Sequence, residues 1–174
     1  MKTTQQTKAR ITKLYKQGKS IDEILTAIRA YYSKITATRI NQVVYKHLFN
    51  QADELWSQAV KVGGRCEISS KNDRLESHHL IKRSNFAFRW VVINGVCLNA
   101  YIHRDVEADE GMLLKWLRVY KPEQWSWYQE HKRQGGRQVS NEDLLQICID
   151  LKQYIGRMKH ADKRSKGIGE RRGT

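Results

Sequence analysis

Long apolar runs are missing from this chain. No stretch approaches the roughly 18 consecutive apolar residues of a membrane-spanning helix, and mean hydropathy is −0.71. The opening residues, Met1-Lys2-Thr3-Thr4-Gln5-Gln6, are polar with no apolar segment behind them, which argues against secretion. Cysteine is scarce and odd in number. Cys66, Cys97 and Cys148 stand far apart, which points away from a disulfide framework and toward a reducing setting. Proline occurs once, at Pro122, and acidic residues number 18 against 32 Lys and Arg. What remains, 40% hydrophobic residues over 174 positions, suffices for one compact domain with appendages or for two small ones.

The charge imbalance of +14 is concentrated at the ends. Residues 1–50 carry ten basic and two acidic side chains, and residues 152–174 carry eight and two, while 51–151 hold fourteen of each. A neutral centre between basic flanks fits a working domain with polyanion grips on either side. No lysine-rich amphipathic helix with an aromatic apolar face supports a membrane surface as the partner, so nucleic acid is the expected one.

Local signals divide the chain. Ile11, Leu14 and Tyr15 sit at helical spacing in 7–17, and Gly18 ends that segment. Ser20 and Glu23 form a capping box that starts a second helix running to Tyr31 or Tyr32. A third helix is expected over 37–49, on Ile40, Val43, Val44 and Leu48. Three short basic helices suit a helix-turn-helix over 1–50, with Thr36, Thr38, Arg39, Asn41 and Gln42 as the DNA-facing residues near the start of the third. The bland alternative is a small helical bundle with lysines on a solvated face.

A separate helix is expected over 51–62. Two short strands, Arg65–Ser69 and Glu76–Ile81, follow around Ser70-Lys71-Asn72-Asp73, and a helix runs from about His103 to Tyr120. Residues 123–158 form a C-terminal helical extension, whose last helix starts at Ser140-Asn141-Glu142-Asp143 and ends near Met158. The basic tail 159–174, with Lys163, Arg164 and Lys166, is expected to stay disordered until it meets nucleic acid. The fold class is therefore α+β, mostly helical.

The centre, 51–122, holds the residues that carry chemistry. His78-His79 lies in a strand-like run, Asn94 follows fifteen residues later in Asn94-Gly95-Val96-Cys97-Leu98, and His103 comes nine residues beyond. Neighbouring strand residues face opposite ways, so the two histidines can divide the work, one on a metal and one on a water. Each element alone is weak: Asn-Gly usually marks a turn, and His47, His131 and His160 read as ordinary surface or core histidines.

Together with Arg65-Cys66, Arg89-Trp90 and Trp116, this spacing resembles the HNH endonuclease family, the ββα-metal or His-Me finger nucleases of phage and mobile-element type. The resemblance runs from about residue 64 to residue 117. It implies a small ββα-metal core with His79 as general base and His78 and His103 as metal ligands. Asn94 is then the residue that hydrogen-bonds across the loop to hold the base. Glu107, Arg104 and Lys82 are accessory residues, the first as an oxygen ligand and the others toward phosphate. One divalent ion is implied, Mg2+ or Mn2+ from the family, with Zn2+ or Ni2+ admitted by imidazole ligands. Relatives often brace the motif with a structural zinc held by two cysteine pairs. Here the corresponding positions read Cys66, Ser69, Asn99 and Ile102, so no structural zinc is expected.

The resulting expectation is a metal-dependent endonuclease acting on double-stranded DNA in the cytoplasm of a bacterial or phage-infected cell. It needs no membrane and no small-molecule cofactor, and the sequence leaves its oligomeric state open. Two other readings stay open: a non-catalytic DNA-binding regulator or architectural protein, and an HNH nuclease that cuts RNA.

Overall fold

A computed structural model describes residues 4–31 and 37–169. These form an α+β chain, largely helical, with a two-stranded antiparallel sheet among the described residues. The chain divides into two compact units. No helix of the described residues is long and apolar enough to cross a membrane.

The first unit groups the described residues up to Asp53 with Val139–Ile149. It contains α1 (Thr4–Lys16), α2 (Ile21–Tyr31), most of α3 (Ala37–Val60) and the start of α7 (Asn141–Gly169). Gly18 takes the left-handed φ of +76° that glycine tolerates, and Lys19 N–H reaches back to the Leu14 carbonyl at 3.2 Å, closing α1. The capping box then forms as expected. Ser20 N–H donates to Glu23 Oε2 at 2.8 Å, and Glu23 N–H donates to Ser20 Oγ at 3.2 Å. Ile11, Ile24, Ile28, Val44, Leu48, Leu144 and Cys148 are buried in this unit.

One helix, α3, replaces the two expected over 37–49 and 51–62. No glycine or proline interrupts it at Asn50, and the buried stripe Val44, Leu48, Ala52, Leu55, Trp56, Ala59 continues at helical spacing through the expected break. Thr38, Asn41 and Gln42 are exposed on its first turns, where Arg39 also falls. Thr36 lies outside the described residues, as do residues 32–35 before it. Likewise α7 runs to Gly169 rather than stopping near Met158, so Lys163, Arg164 and Lys166 lie on helix instead of coil. Lys, Arg and Ala in 159–166 are good helix formers and no proline stops them.

The second unit groups Glu54–Gln138 with the described residues from Asp150 onward. Its sheet pairs β1 (Leu75–His79) with β2 (Gly95–Asn99), with His78 opposite Val96 and His79 opposite Gly95. The strand expected over Arg65–Ser69 is a turn instead. Ser70 N–H donates to the Cys66 carbonyl at 2.9 Å, and Ser70 itself takes φ +59°, which folds the segment on itself. Asn99 caps α4 (Ala100–Ala108) by accepting Ile102 N–H at 3.0 Å. The single helix expected from His103 to Tyr120 is broken at Asp109, whose extended backbone and side-chain bond to Gly111 N–H begin α5 (Glu110–Tyr120). Pro122 sits in the first turn of α6 (Pro122–His131), a position that needs no N–H. Cys66, Leu80, Val96, Leu98, Val106, Leu113 and Leu117 form the core, with Trp116, Trp125 and Tyr128 packed against it.

The sheet is thin, so what covers each face decides the site. Val96 and Leu98 of β2 share a core with α4 and α5. On the other face Ser77 Oγ lies 3.0 Å from Ser57 Oγ of α3. A Cβ on Gly95 would meet Val60 Cγ2 at 2.2 Å and the Trp56 ring at 2.9 Å, so the helix approaches the strand where the side chain is missing. We expect Gly95→Ala to destabilise the fold by about 1–3 kcal/mol through overpacking, read as a lower urea midpoint. An unchanged midpoint would mean that α3 yields without cost.

Candidate functional site

Strand alternation sends His78 and His79 to opposite faces of the hairpin. On the α4 side, His78 Nδ1 lies 3.1 Å from His103 Nε2, with the rings edge to face. His103 Nδ1 meets the carboxylate of Glu76, which lies two residues before His78 on the same face. Glu107, one turn further along α4, brings Oε1 to 3.8 Å from His103 Nε2. Burial lowers the pKa of His78 to about 4, helped by the nearby charges of His103 and His79, so this imidazole is neutral at pH 7. Arg104 is exposed, its guanidinium 5.8 Å from the Tyr101 ring centroid. Lys82 is exposed, just beyond the buried Leu80-Ile81.

This corner fits a divalent ion. Two imidazole nitrogens bound to one ion, each at about 2.1 Å, stand about 3.0–3.4 Å apart in tetrahedral or octahedral geometry. The separation of His78 and His103 falls in that range. Among the described residues no three His, Cys, Asp or Glu side chains stand as a finished ligand set. The corner supplies two donors, and Glu107 has to swing inward to become a third.

On the α3 side, His79 stacks on Trp56, with ring centroids 3.7 Å apart and planes inclined by 15°. The indole is itself fixed by an Nε1–H bond to the Val91 carbonyl at 3.0 Å. His79 Nε2 lies 2.9 Å from the Arg89 carbonyl. A carbonyl only accepts, so Nε2 carries the proton and the neutral ring has its lone pair on Nδ1.

Asn94 has no solvent exposure. Its Oδ1 accepts Ile81 N–H at 2.7 Å, and its Nδ2 donates to the carbonyls of Ile81 and Phe88, each at 3.0 Å. Both anchored residues border the His79 environment: Ile81 lies two residues past it, and Phe88 precedes the Arg89 that receives its N–H. Cys66 and Asn99 are engaged in the protein's own bonding. Cys66 Sγ accepts Ser69 N–H at 3.4 Å, and the Asn99 side chain is occupied as the α4 cap.

Compared with known proteins, the chain matches no family model, no curated protein and no solved structure.

Of the residues picked out from sequence, the fold brings His78, His103 and Glu107 together and gives Asn94 a clamping position beside His79. Two participants were missed. Glu76 was legible from the two-residue period of the strand, which puts it on the His78 face. Trp56 had no local signal, because its contact with His79 spans 23 positions of sequence. Removing the clamp by Asn94→Ala leaves buried backbone groups of Ile81 and Phe88 without their partner. We expect a loss of at least about 2 kcal/mol in urea unfolding, and a loss below half that would mean water replaces the amide.

Proposed function

We propose that this chain is a metal-dependent HNH-type endonuclease that hydrolyses phosphodiester bonds in double-stranded DNA. The observation that carries the reading is the paired approach of His78 and His103 on one face of the hairpin, with His79 held on the strand beside them. His78 and His103 would hold the divalent ion, with Glu107 as the nearby oxygen donor. When bound, the ion supplies positive charge for the phosphate oxygens on which negative charge develops. Imidazole donors favour Mn2+, Zn2+ or Ni2+ over Mg2+ at such a corner, while added carboxylate and water oxygens keep Mg2+ within reach.

His79 takes the proton of the attacking water at Nδ1. As the ring becomes imidazolium, the Arg89 carbonyl continues to accept from Nε2, and the Trp56 face keeps the ring in place. His78 and His79 are consecutive, their Cα atoms about 3.8 Å apart. A phosphodiester crossing the end of β1 would therefore meet the metal corner through one and the base through the other. Asn94 positions the base without touching substrate. The basic flanks bind phosphates, Thr38, Arg39, Asn41 and Gln42 of α3 face the duplex with Thr36 before them, and Lys163, Arg164 and Lys166 add charge on α7.

Supercoiled plasmid incubated with Mg2+ or Mn2+ tests this directly. Wild-type protein should nick or linearise it only with metal. His79→Ala should bind equally but cut about 10²–10⁴-fold more slowly, the usual contribution of a general base. Binding without cutting by both proteins would favour the regulator, and preferential cutting of RNA would favour the ribonuclease reading. Cutting that survives His79→Ala overturns the assignment of the base.

Phosphate neutralisation by α7 has its own signature. In the triple variant Lys163→Gln, Arg164→Gln, Lys166→Gln, the slope of log affinity against log salt should shrink by up to about 3. An unchanged slope removes this end of α7 from the interface.

A further inference from the structure

We propose that Glu76 is the positioning residue of the metal corner: its carboxylate takes the Nδ1–H of His103 and so presents His103 Nε2, as a lone-pair donor, to the ion shared with His78. The inference rests on reading His78 and His103 as ligands, and it separates the jobs of the two nearby carboxylates.

Glu76 and His78 lie two positions apart on β1, opposite Leu98 and Val96, so both project to the α4 face. His103 stands in the first turns of α4, whose start is fixed by the Asn99 cap. Those two placements bring the Glu76 carboxylate onto Nδ1 and the His78 ring onto Nε2 of the same imidazole.

An ionised carboxylate has only acceptors, so the Glu76 contact places the proton on Nδ1. Nε2 is then left as the donor atom, aimed at His78 Nδ1. The two nitrogens of one imidazole point in divergent directions. Glu76 therefore lies on the far side of His103 from the ion and cannot ligate it while holding Nδ1.

Glu107 differs, approaching Nε2 itself at 3.8 Å from the solvent side. Its side chain is 66% exposed and that of His103 19%, which leaves the Glu107 carboxylate room to swing toward an ion. A carboxylate behind a metal-binding imidazole fixes its tautomer and ring orientation, and loss of such a partner typically weakens metal binding about 10–100-fold. Because the Glu76 side chain is 49% exposed, replacing it leaves no buried gap.

Titration of the full-length protein with Co2+, followed by its visible absorption, measures the corner without any cleavage assay. The imidazole 15N spectrum of His103 reports its tautomer in the same samples. Glu76→Ala should bind Co2+ about 10–100-fold more weakly than wild type, with His103 divided between tautomers. Glu76→Gln, whose carboxamide can accept from or donate to Nδ1, should fall between the two.

His78→Ala and His103→Ala should abolish binding. If they do while Glu76→Ala binds as wild type, the positioning role is overturned and the metal corner stands. If Glu76→Gln is as defective as His103→Ala, Glu76 is a ligand and the proposal fails. Wild-type protein that takes up no Co2+ overturns the corner and the role of Glu76 together.

Discussion

The Asn94 carboxamide ties the end of β1 to the start of β2. Its three bonds go to main chain, on Ile81 and on Phe88, with no solvent exposure. The Asn94 carbonyl adds a fourth link by accepting Leu80 N–H at 2.9 Å. The loop between the strands thus has both ends fixed to one residue. That loop carries Arg89, the acceptor of the His79 N–H, so the orientation of the imidazole follows from the clamp. A buried amide with every polar atom satisfied is rigid because moving it exposes unpaired donors and acceptors to an apolar surrounding.

From this hairpin the two-residue period of a strand creates a site with two chemically different sides. The α4 side gathers imidazoles and carboxylates. The α3 side gathers an indole, a backbone carbonyl and the space left by Gly95. A neutral histidine needs a defined tautomer to act as a base, and an acceptor carbonyl on Nε2 provides it. Under the proposed function the two ligand histidines need their donor atoms turned to a common point, and the carboxylate behind His103 would do that. One alternation rule therefore gives consecutive imidazoles two different surroundings.

Much of this was legible wherever the controlling interaction is local. The Ser20–Glu23 box and the Ser140–Asp143 start depend on residues three positions apart and the Gly18 stop on a bond across five, and each forms as its spacing dictates. The split between His78 and His79 was legible because the strand period turns neighbours to opposite faces, whereas their grouping with Asn94 and His103 came from the resemblance to HNH nucleases. What failed was punctuation. Asn50 does not stop a helix whose apolar stripe carries through it, and Asp109 stops one because its side chain captures Gly111 N–H. Arg65–Ser69 alternates like a strand yet closes as a turn on Cys66. Contacts that span the chain, such as Trp56 on His79, leave no periodic trace in the sequence.

Two imidazoles brought together at 3.1 Å in a half-buried place stabilise little by themselves, and an apolar pair of similar volume would pack there without a solvation penalty. Burial instead depresses the basicity of His78 to about 4, which costs folding energy whenever the ring must be neutral below its usual pKa. The sign is fixed: a lowered histidine pKa destabilises the fold below about 6.5, more so as pH falls toward 4, and contributes nothing above. At neutral pH the penalty is absent and the His78 ring is already in the form that binds a cation. A scaffold shaped only by stability has no reason to keep this arrangement. Under the proposed function the arrangement has a use: the two rings are oriented and stand close enough to share a divalent ion at pH 7.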